Sequence, residues 1–150
     1  MRLIKLGIAC FLFLASTHNV LADDCKRSID ATDMMSFSAN EIQIPVSCKE
    51  VTVTLIHVGK LPSAVMGHNW VLSTSADVQD IATKGMSAGL DNNYLPPNDK
   101  RVIAFTGIIG GGETDSVTFT TENLSVDEEY TFFCSFPGHW SVMKGSFKVI

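Results

Sequence analysis

Apolar and polar residues alternate in short runs along this chain: Ile42, Ile44 and Val46; then Val51, Val53 and Leu55; later Val117 and Phe119; Tyr130, Phe132 and Cys134; finally Phe147 and Val149. A period of two puts side chains on opposite faces of a strand, so each run predicts a half-buried β-strand. Turn-forming clusters separate them, at Val58-Gly59-Lys60-Leu61-Pro62, Leu95-Pro96-Pro97-Asn98-Asp99 and Gly110-Gly111-Gly112-Glu113. Short strands at this spacing close into an all-β sandwich or barrel. One segment departs from the pattern. From Ser75 to Gly89, Val78, Ile81, Ala82 and Met86 recur at helical spacing, with a Ser or Asp to cap the start and Gly89 to stop it. Met86 to Asp99, rich in Gly, Asn and Pro, reads as a long surface loop. No internal repeat is visible.

The first 22 residues read as an export leader, with Arg2 and Lys5 as a basic start, Leu6 to Ala15 as an apolar run and Val20-Leu21-Ala22 as a small-residue cleavage site. The apolar run is about ten residues, where a bilayer-spanning helix needs roughly 20, so no membrane span is expected. Cys10 lies inside that run and leaves with it. Cleavage takes Arg2 and Lys5 from the 11 basic residues and none of the 16 acidic ones, moving the net charge from -5 to -7. Such an acidic domain lacks the clustered Lys and Arg that neutralise phosphates, which excludes nucleic acid as a partner. At 45% hydrophobic residues it has enough apolar side chain for one globular core.

Export leaves three cysteines, Cys25, Cys48 and Cys134. In an oxidising compartment an odd count implies one disulfide and one sulfur with another purpose. Cys134 ends a predicted strand, His139 follows five positions later and Met143 four after that, a Cys-x4-His-x3-Met spacing. A thiolate, an imidazole and a thioether on one loop form a soft ligand set suited to copper, which alternates between thiolate-preferring Cu(I) and imidazole-preferring Cu(II). Singly, such a Cys or Met is ordinary core filler. Their joint spacing, with Pro137 fixing φ and Gly138 permitting a positive φ between them, favours a ligand loop. His18 leaves with the leader, so a further ligand is His57 or His68. His68 is favoured, because Gly67 lets backbone approach the metal and Asn69 can tie two loops together. His57 shares a strand face with Val51, Val53 and Leu55 and reads as a core histidine. Committing Cys134 to metal leaves Cys25 and Cys48 to form the disulfide, whose loop of about two dozen residues contributes roughly 3 kcal/mol. Trp70, in phase with His68 and Leu72, is expected in the core, and the Asn123-Leu124-Ser125 glycosylation triplet is given no role.

The segments Ala64-Val-Met-Gly-His-Asn-Trp-Val-Leu-Ser-Thr74 and Phe132 to His139, with the helical insertion after the first, resemble the blue-copper, or cupredoxin, family. The likeness covers residues 23–150, read as one cupredoxin domain of the plastocyanin/azurin kind. It implies an eight-stranded Greek-key β-sandwich with one helical insertion and a Cys25–Cys48 disulfide. It implies one type 1 copper per chain, with His68, Cys134 and His139 as three strong, roughly trigonal ligands. Met143 would then be a long axial thioether and the Gly67 carbonyl a weak contact opposite. It implies a periplasmic protein that shuttles one electron by Cu(I)/Cu(II) cycling between c-type cytochromes and copper or haem oxidoreductases. His57 matches a partly buried family histidine whose protonation responds to pH. Two residues depart from the pattern. Trp140 stands where a small or polar residue usually follows the second ligand histidine, and Phe105 replaces a surface histidine of well-known members. Neither is a ligand, and Trp140 puts partner choice in question.

On this reading backbone amides near Asn69 and Phe136 hydrogen-bond the Cys134 sulfur and tune its charge. Electrons leave by the His139 edge, ringed in the family arrangement by Met35, Leu61, Val65, Met66, Phe136, Pro137 and Gly138, with Trp140 beside them. Such an apolar patch is a weak, transient docking surface. No carboxylate stands beside Cys134 and His139 to complete a nucleophile and base, and no further histidine cluster suggests a catalytic metal, so no enzyme activity is expected. The alternative is a periplasmic copper carrier or storage protein, which would release Cu(I) readily where a shuttle keeps it.

Overall fold

The computed structural model describes residues 24–150; the leader reading for residues 1–22 lies outside the described residues. Strands β1 (Lys26–Thr32), β2 (Ser36–Phe37), β4 (Glu50–His57) and β7 (Thr114–Thr120) form one sheet in the order β2-β1-β4-β7. Strands β3 (Glu41–Ile44), β5 (Val71–Thr74), β6 (Ala104–Phe105), β8 (Tyr130–Phe133) and β9 (Lys144–Val149) form the other, in the order β3-β9-β8-β5-β6. The β1–β4 and β3–β9 pairs are parallel and the rest antiparallel. The chain thus crosses repeatedly between two sheets, the all-β sandwich expected of the alternation. Strand segments among the described residues number nine, of which β2 and β6 have two residues each.

Alternation maps onto burial most cleanly in β4, where Val51, Val53, Leu55 and His57 are buried and the residues between them are not. Val46 is a correction. Period two groups it with Ile42 and Ile44, yet it is 69% exposed: it lies beyond the end of β3 at Ile44, and only its backbone stays in place, the N–H donating to the Ile150 carbonyl at 2.7 Å. Strand β5 shows no alternation because both its faces are covered: Leu72 joins the main core and Val71 a smaller one. At the centre of the main core the fully buried Trp70 ring lies 6.0 to 6.1 Å from Phe119, Phe132 and Phe147.

Two helices interrupt the strands: α1 (Ser63–Met66), a single turn, and α2 (Val78–Ala88), which ends at Gly89. The expected side-chain cap is absent, since the Asp77 carboxylate accepts from Thr74 Oγ1 at 2.7 Å and faces Arg101. Beneath α2, Val78, Ile81 and Ala82 pack with Val71, Leu95 and Phe133 into the smaller core. Arg101 fastens α2 to the segment beyond it through Asp80 and Asp99. Hydrogen bonds from Arg101 hold the Asp99 carboxyl down to about 2.

Cys25 and Cys48 are disulfide-bonded, as expected, with Cα atoms 5.6 Å apart. Replacing both by Ala removes the constraint on the unfolded chain, with an expected loss of about 3 kcal/mol read from the urea midpoint. The metal-binding end of the fold, at the opposite end of β1, should keep its absorption spectrum in that variant.

Candidate metal centre

The site is built where three neighbouring strands end. Strands β5 and β8 pair antiparallel with Val71 opposite Phe133, and β8 and β9 pair with Phe133 opposite Lys144. Extending those registers by one or two residues sets Asn69 across from Ser135 and Cys134 across from Met143. The hydrogen bonds follow suit. Asn69 Oδ1 accepts the Ser135 N–H at 2.8 Å, and its Nδ2 donates to Ser135 Oγ at 2.8 Å and to the Asn93 carbonyl at 3.2 Å. The Cys134 N–H donates to the Met143 carbonyl at 3.0 Å. Residues 66 positions apart are therefore clamped side by side before any metal is considered.

His68, Cys134 and His139 are buried and offer ligand atoms within 4.8 Å of one another, the one such group among the described residues. The Cys134 Sγ lies 3.7 Å from His68 Nδ1, 3.6 Å from His139 Nδ1 and 3.9 Å from the Gly67 carbonyl oxygen. His68 Nε2 is 2.9 Å from the Thr32 carbonyl, which can only accept, so the neutral ring carries its proton on Nε2 and turns the Nδ1 lone pair to the sulfur. Gly67 allows this approach, since a Cβ there would lie 2.3 Å from the Ser63 carbonyl oxygen and 2.5 Å from Ile108. Gly138 takes φ +83 in the turn to His139, and the His139 N–H donates to the Phe136 carbonyl. Met143 is buried, its N–H bonded to the His139 carbonyl at 2.8 Å.

Burial dominates the electrostatics. It pushes the Cys134 thiol up to about 12, opposed by backbone N–H groups of Asn69 and Phe136 that favour the thiolate. It lowers His68 to about 4, against the Thr32 hydrogen bond, and lowers His139 in the same direction. The ligand set is thus a thiol and two neutral imidazoles in a dry pocket. A cation bound there replaces the thiol proton, and soft sulfur and nitrogen donors suit copper.

The remaining expected residues are placed as follows. The His57 ring stacks on His68 with centroids 4.6 Å apart, its Nε2 donating to the Met66 carbonyl at 2.9 Å and its Nδ1 accepting from Gly59 at 3.1 Å. Met35, Leu61, Val65, Pro137 and Gly138 are exposed, while Met66 and Phe136 are half-buried. Phe136 packs on His139 with centroids 4.6 Å apart. Trp140 is half-buried against the smaller core beneath α2. Phe105 is exposed on the short strand β6. Three participants escaped the sequence reading. Thr32 and Asn93 contribute backbone carbonyls, which carry no side-chain signature. Ser135 stood in view beside Cys134, and only the strand register shows that it faces Asn69.

A two-sheet sandwich that holds His, Cys, His and Met for one copper ion defines the blue-copper class of electron-transfer proteins. The chain belongs within it to the family described as "Copper binding proteins, plastocyanin/azurin family", whose pattern matches residues 23–150. It is 61% identical over 123 residues to an azurin of Pseudomonas chlororaphis, covering 82% of this chain and 96% of that one. It is 52% identical over 142 residues to an azurin of Pseudomonas aeruginosa, covering 95% of each. The solved structure of the azurin Az-iso2 from Methylomonas sp. strain J superposes with a TM-score of 0.82 at 53% identity, over 84% of this chain and 98% of that one. These findings agree with the resemblance read from the motifs.

Because the Cys134 thiol must lose its proton while burial favours the neutral forms of His68 and His139, each Cu(II) bound should release about one proton. Apparent affinity should then rise about tenfold per pH unit between pH 6 and 8. Competition titrations against a chelator, with proton release followed by an indicator, check both numbers.

Proposed function

We propose that this protein shuttles single electrons between redox proteins of the periplasm, with c-type cytochromes and copper or haem oxidoreductases as the partner class. The observation that carries the reading is the clamped, buried donor set, in which Asn69 locks the His68 and Cys134 loops together before metal enters. His68, Cys134 and His139 hold the copper, with the Met143 thioether and the Gly67 carbonyl completing its surroundings. Copper held there supplies a one-electron couple between Cu(I) and Cu(II). Donors that stay in place across that change leave little to rearrange, and the N–H groups of Asn69 and Phe136 directed at the sulfur draw charge from the thiolate. Residues 1–22 form the export leader, and the disulfide fits an oxidising compartment.

Docking falls to the apolar groups that the family arrangement sets about His139: Met35, Leu61, Val65, Met66, Phe136, Pro137 and Gly138. Several are exposed, Val65 by 59%, and a small apolar patch suits a partner that must leave after each exchange. Trp140 was expected to share this surface; its indole packs inward, and we assign it elsewhere. His57 is the pH-responsive residue. Its Nδ1 accepts the Gly59 N–H at 3.1 Å.

The visible spectrum tests the reading directly. With Cu(II) the protein should show an intense blue thiolate band that bleaches reversibly on mild reduction and is absent in Cys134→Ser. A colourless product overturns it. Retention of copper over repeated redox cycles beside a Cu(I) chelator supports a shuttle, whereas ready release supports the carrier alternative. Val65→Lys should slow electron exchange by about ten-fold or more while leaving the blue band intact, because it puts a charge into an apolar docking face. An unchanged rate removes the patch from the mechanism.

A further inference from the structure

The connection between β5 and β6, residues 75–103, is far longer than two adjacent antiparallel strands require. It reaches the metal-binding loop at three places. The Asn93 carbonyl accepts from Ser135 Oγ at 2.8 Å and from the Asn69 amide at 3.2 Å. The Tyr94 ring meets Phe136 edge-on at 5.3 Å. Trp140, the residue after His139, packs into the apolar cluster that α2 forms with Phe133, the residue before Cys134. The two ends of the Cys134–His139 turn thus each send one aromatic ring beneath the same helix.

Within the loop the backbone is bonded mainly to itself. The His139 carbonyl accepts the N–H groups of Val142 and Met143 at 3.0 and 2.8 Å, and Cys134 donates to Met143. These bonds fix the turn internally and do not fix it against the rest of the molecule. At Ser135 that anchor is Asn69. At the His139 end two side chains reach outward, Met143 into the main core and Trp140 into the cluster beneath α2, with Lys144 Nζ 6.0 Å from the Trp140 ring centroid.

We propose that Trp140 is a positioning residue for His139: its indole, seated beneath α2, fixes residues 139–143, and the β5–β6 connection acts as a clamp on the metal-binding loop. This rests on the copper reading above. A loop free at this end would let the His139 imidazole shift as the metal changes charge, and electron exchange slows when donors must move. Trp140 therefore acts on the rate through His139, without touching the metal.

The test compares Trp140→Ser, Trp140→Phe and Ile81→Ala, the last opening the same cluster from the helix side. In the metal-free protein, hydrogen exchange at the Cys134, Val142 and Met143 amides should quicken about ten-fold in Trp140→Ser while β1 and β4 keep their protection. In the copper-loaded protein, electron exchange should slow about ten-fold at equal copper content, with a shifted thiolate band. Trp140→Phe should restore both to within about two-fold, and Ile81→Ala should move both in the direction of the serine variant. Loosening of α2 with the three loop amides unchanged overturns the proposal, as does a serine variant with wild-type band and rate. If Trp140→Ser fails to fold, the contrast between an unchanged Phe variant and a loosened Ile81→Ala variant supports it, and its absence overturns it. A wild-type protein that gives no thiolate band refutes the copper reading, while the metal-free amides still decide the clamp.

Discussion

A buried cysteine sulfur that meets two imidazole nitrogens at 3.6 and 3.7 Å has to be held by groups that carry no charge. A fixed cation would pair with the thiolate and compete with the metal, and a fixed anion would leave a buried charge costing several kcal/mol once the metal is lost. The structure answers with neutral dipoles only: the Thr32 carbonyl on His68, the N–H groups of Asn69 and Phe136 on the sulfur, and the Asn69–Ser135 amide bridge beside it. The carboxylate whose field reaches His68 is Asp33, 3.9 Å from the Nε2 of the stacked His57. Its carboxylate is occupied by the Lys60 and Leu61 N–H groups, which hold it below the usual carboxylate range.

Strand register is what converts this local chemistry into a fold-level property. His68 precedes β5, Cys134 follows β8 and Met143 precedes β9, and these three strands are neighbours in one sheet. Because β5 and β8 run antiparallel, the start of one lies beside the end of the other, so donors far apart in sequence share one edge of the sandwich. A slip of one residue between β5 and β8 would turn Asn69 away from Ser135 and swap Leu72 and Val71 between the main core and the smaller one. The buried pattern Val71-Leu72-Ser73 forbids that slip, which is how core packing protects the geometry of the site.

Much of this was legible in the sequence because the ligands sit in short, dense segments. Cys134, His139 and Met143 lie within ten residues and carry their turn chemistry, Pro137 and Gly138, between them. His68 was chosen over His57 from its glycine and asparagine neighbours, and the structure brings His68 to the sulfur. Period-two reasoning found β3, β4, β7, β8 and β9, missed β1, whose covered face carries only Ile29 and Ala31, and misread two further places. It overran β3 to Val46, which lies beyond the core-facing part of the strand, and at β5 it offered only the phase of His68, Trp70 and Leu72, because both faces of that strand are buried. The carbonyls of Thr32 and Asn93 were invisible for a different reason: any residue type supplies a carbonyl, and only tertiary structure says where it points. Trp140 was noticed as an unusual residue and assigned to the surface, since sequence position beside a surface-facing ligand says nothing of which way a ring in a turn will pack.

The other sheet, which supplies no ligand, completes the enclosure. β1 and β4 run parallel with Ala31 beside His57, so their ends deliver the Thr32 carbonyl and the His57 ring together onto His68. Cys25 and Cys48 precede those same two strands, and seven residues of β1 at about 3.3 Å each set the disulfide roughly 23 Å of strand away from the metal site. The parallel pair is therefore covalently closed at its beginning and packed against a ligand at its end. Any splaying of the sheets that would let His68 move must also separate β1 from β4 or break the apolar contacts of Trp70, whose buried indole N–H has no partner, so that packing holds the ring. Rigidity at the metal is thus a property of the whole sandwich, transmitted to His68 from the ligand-free sheet and to Cys134 from the ligand-bearing one.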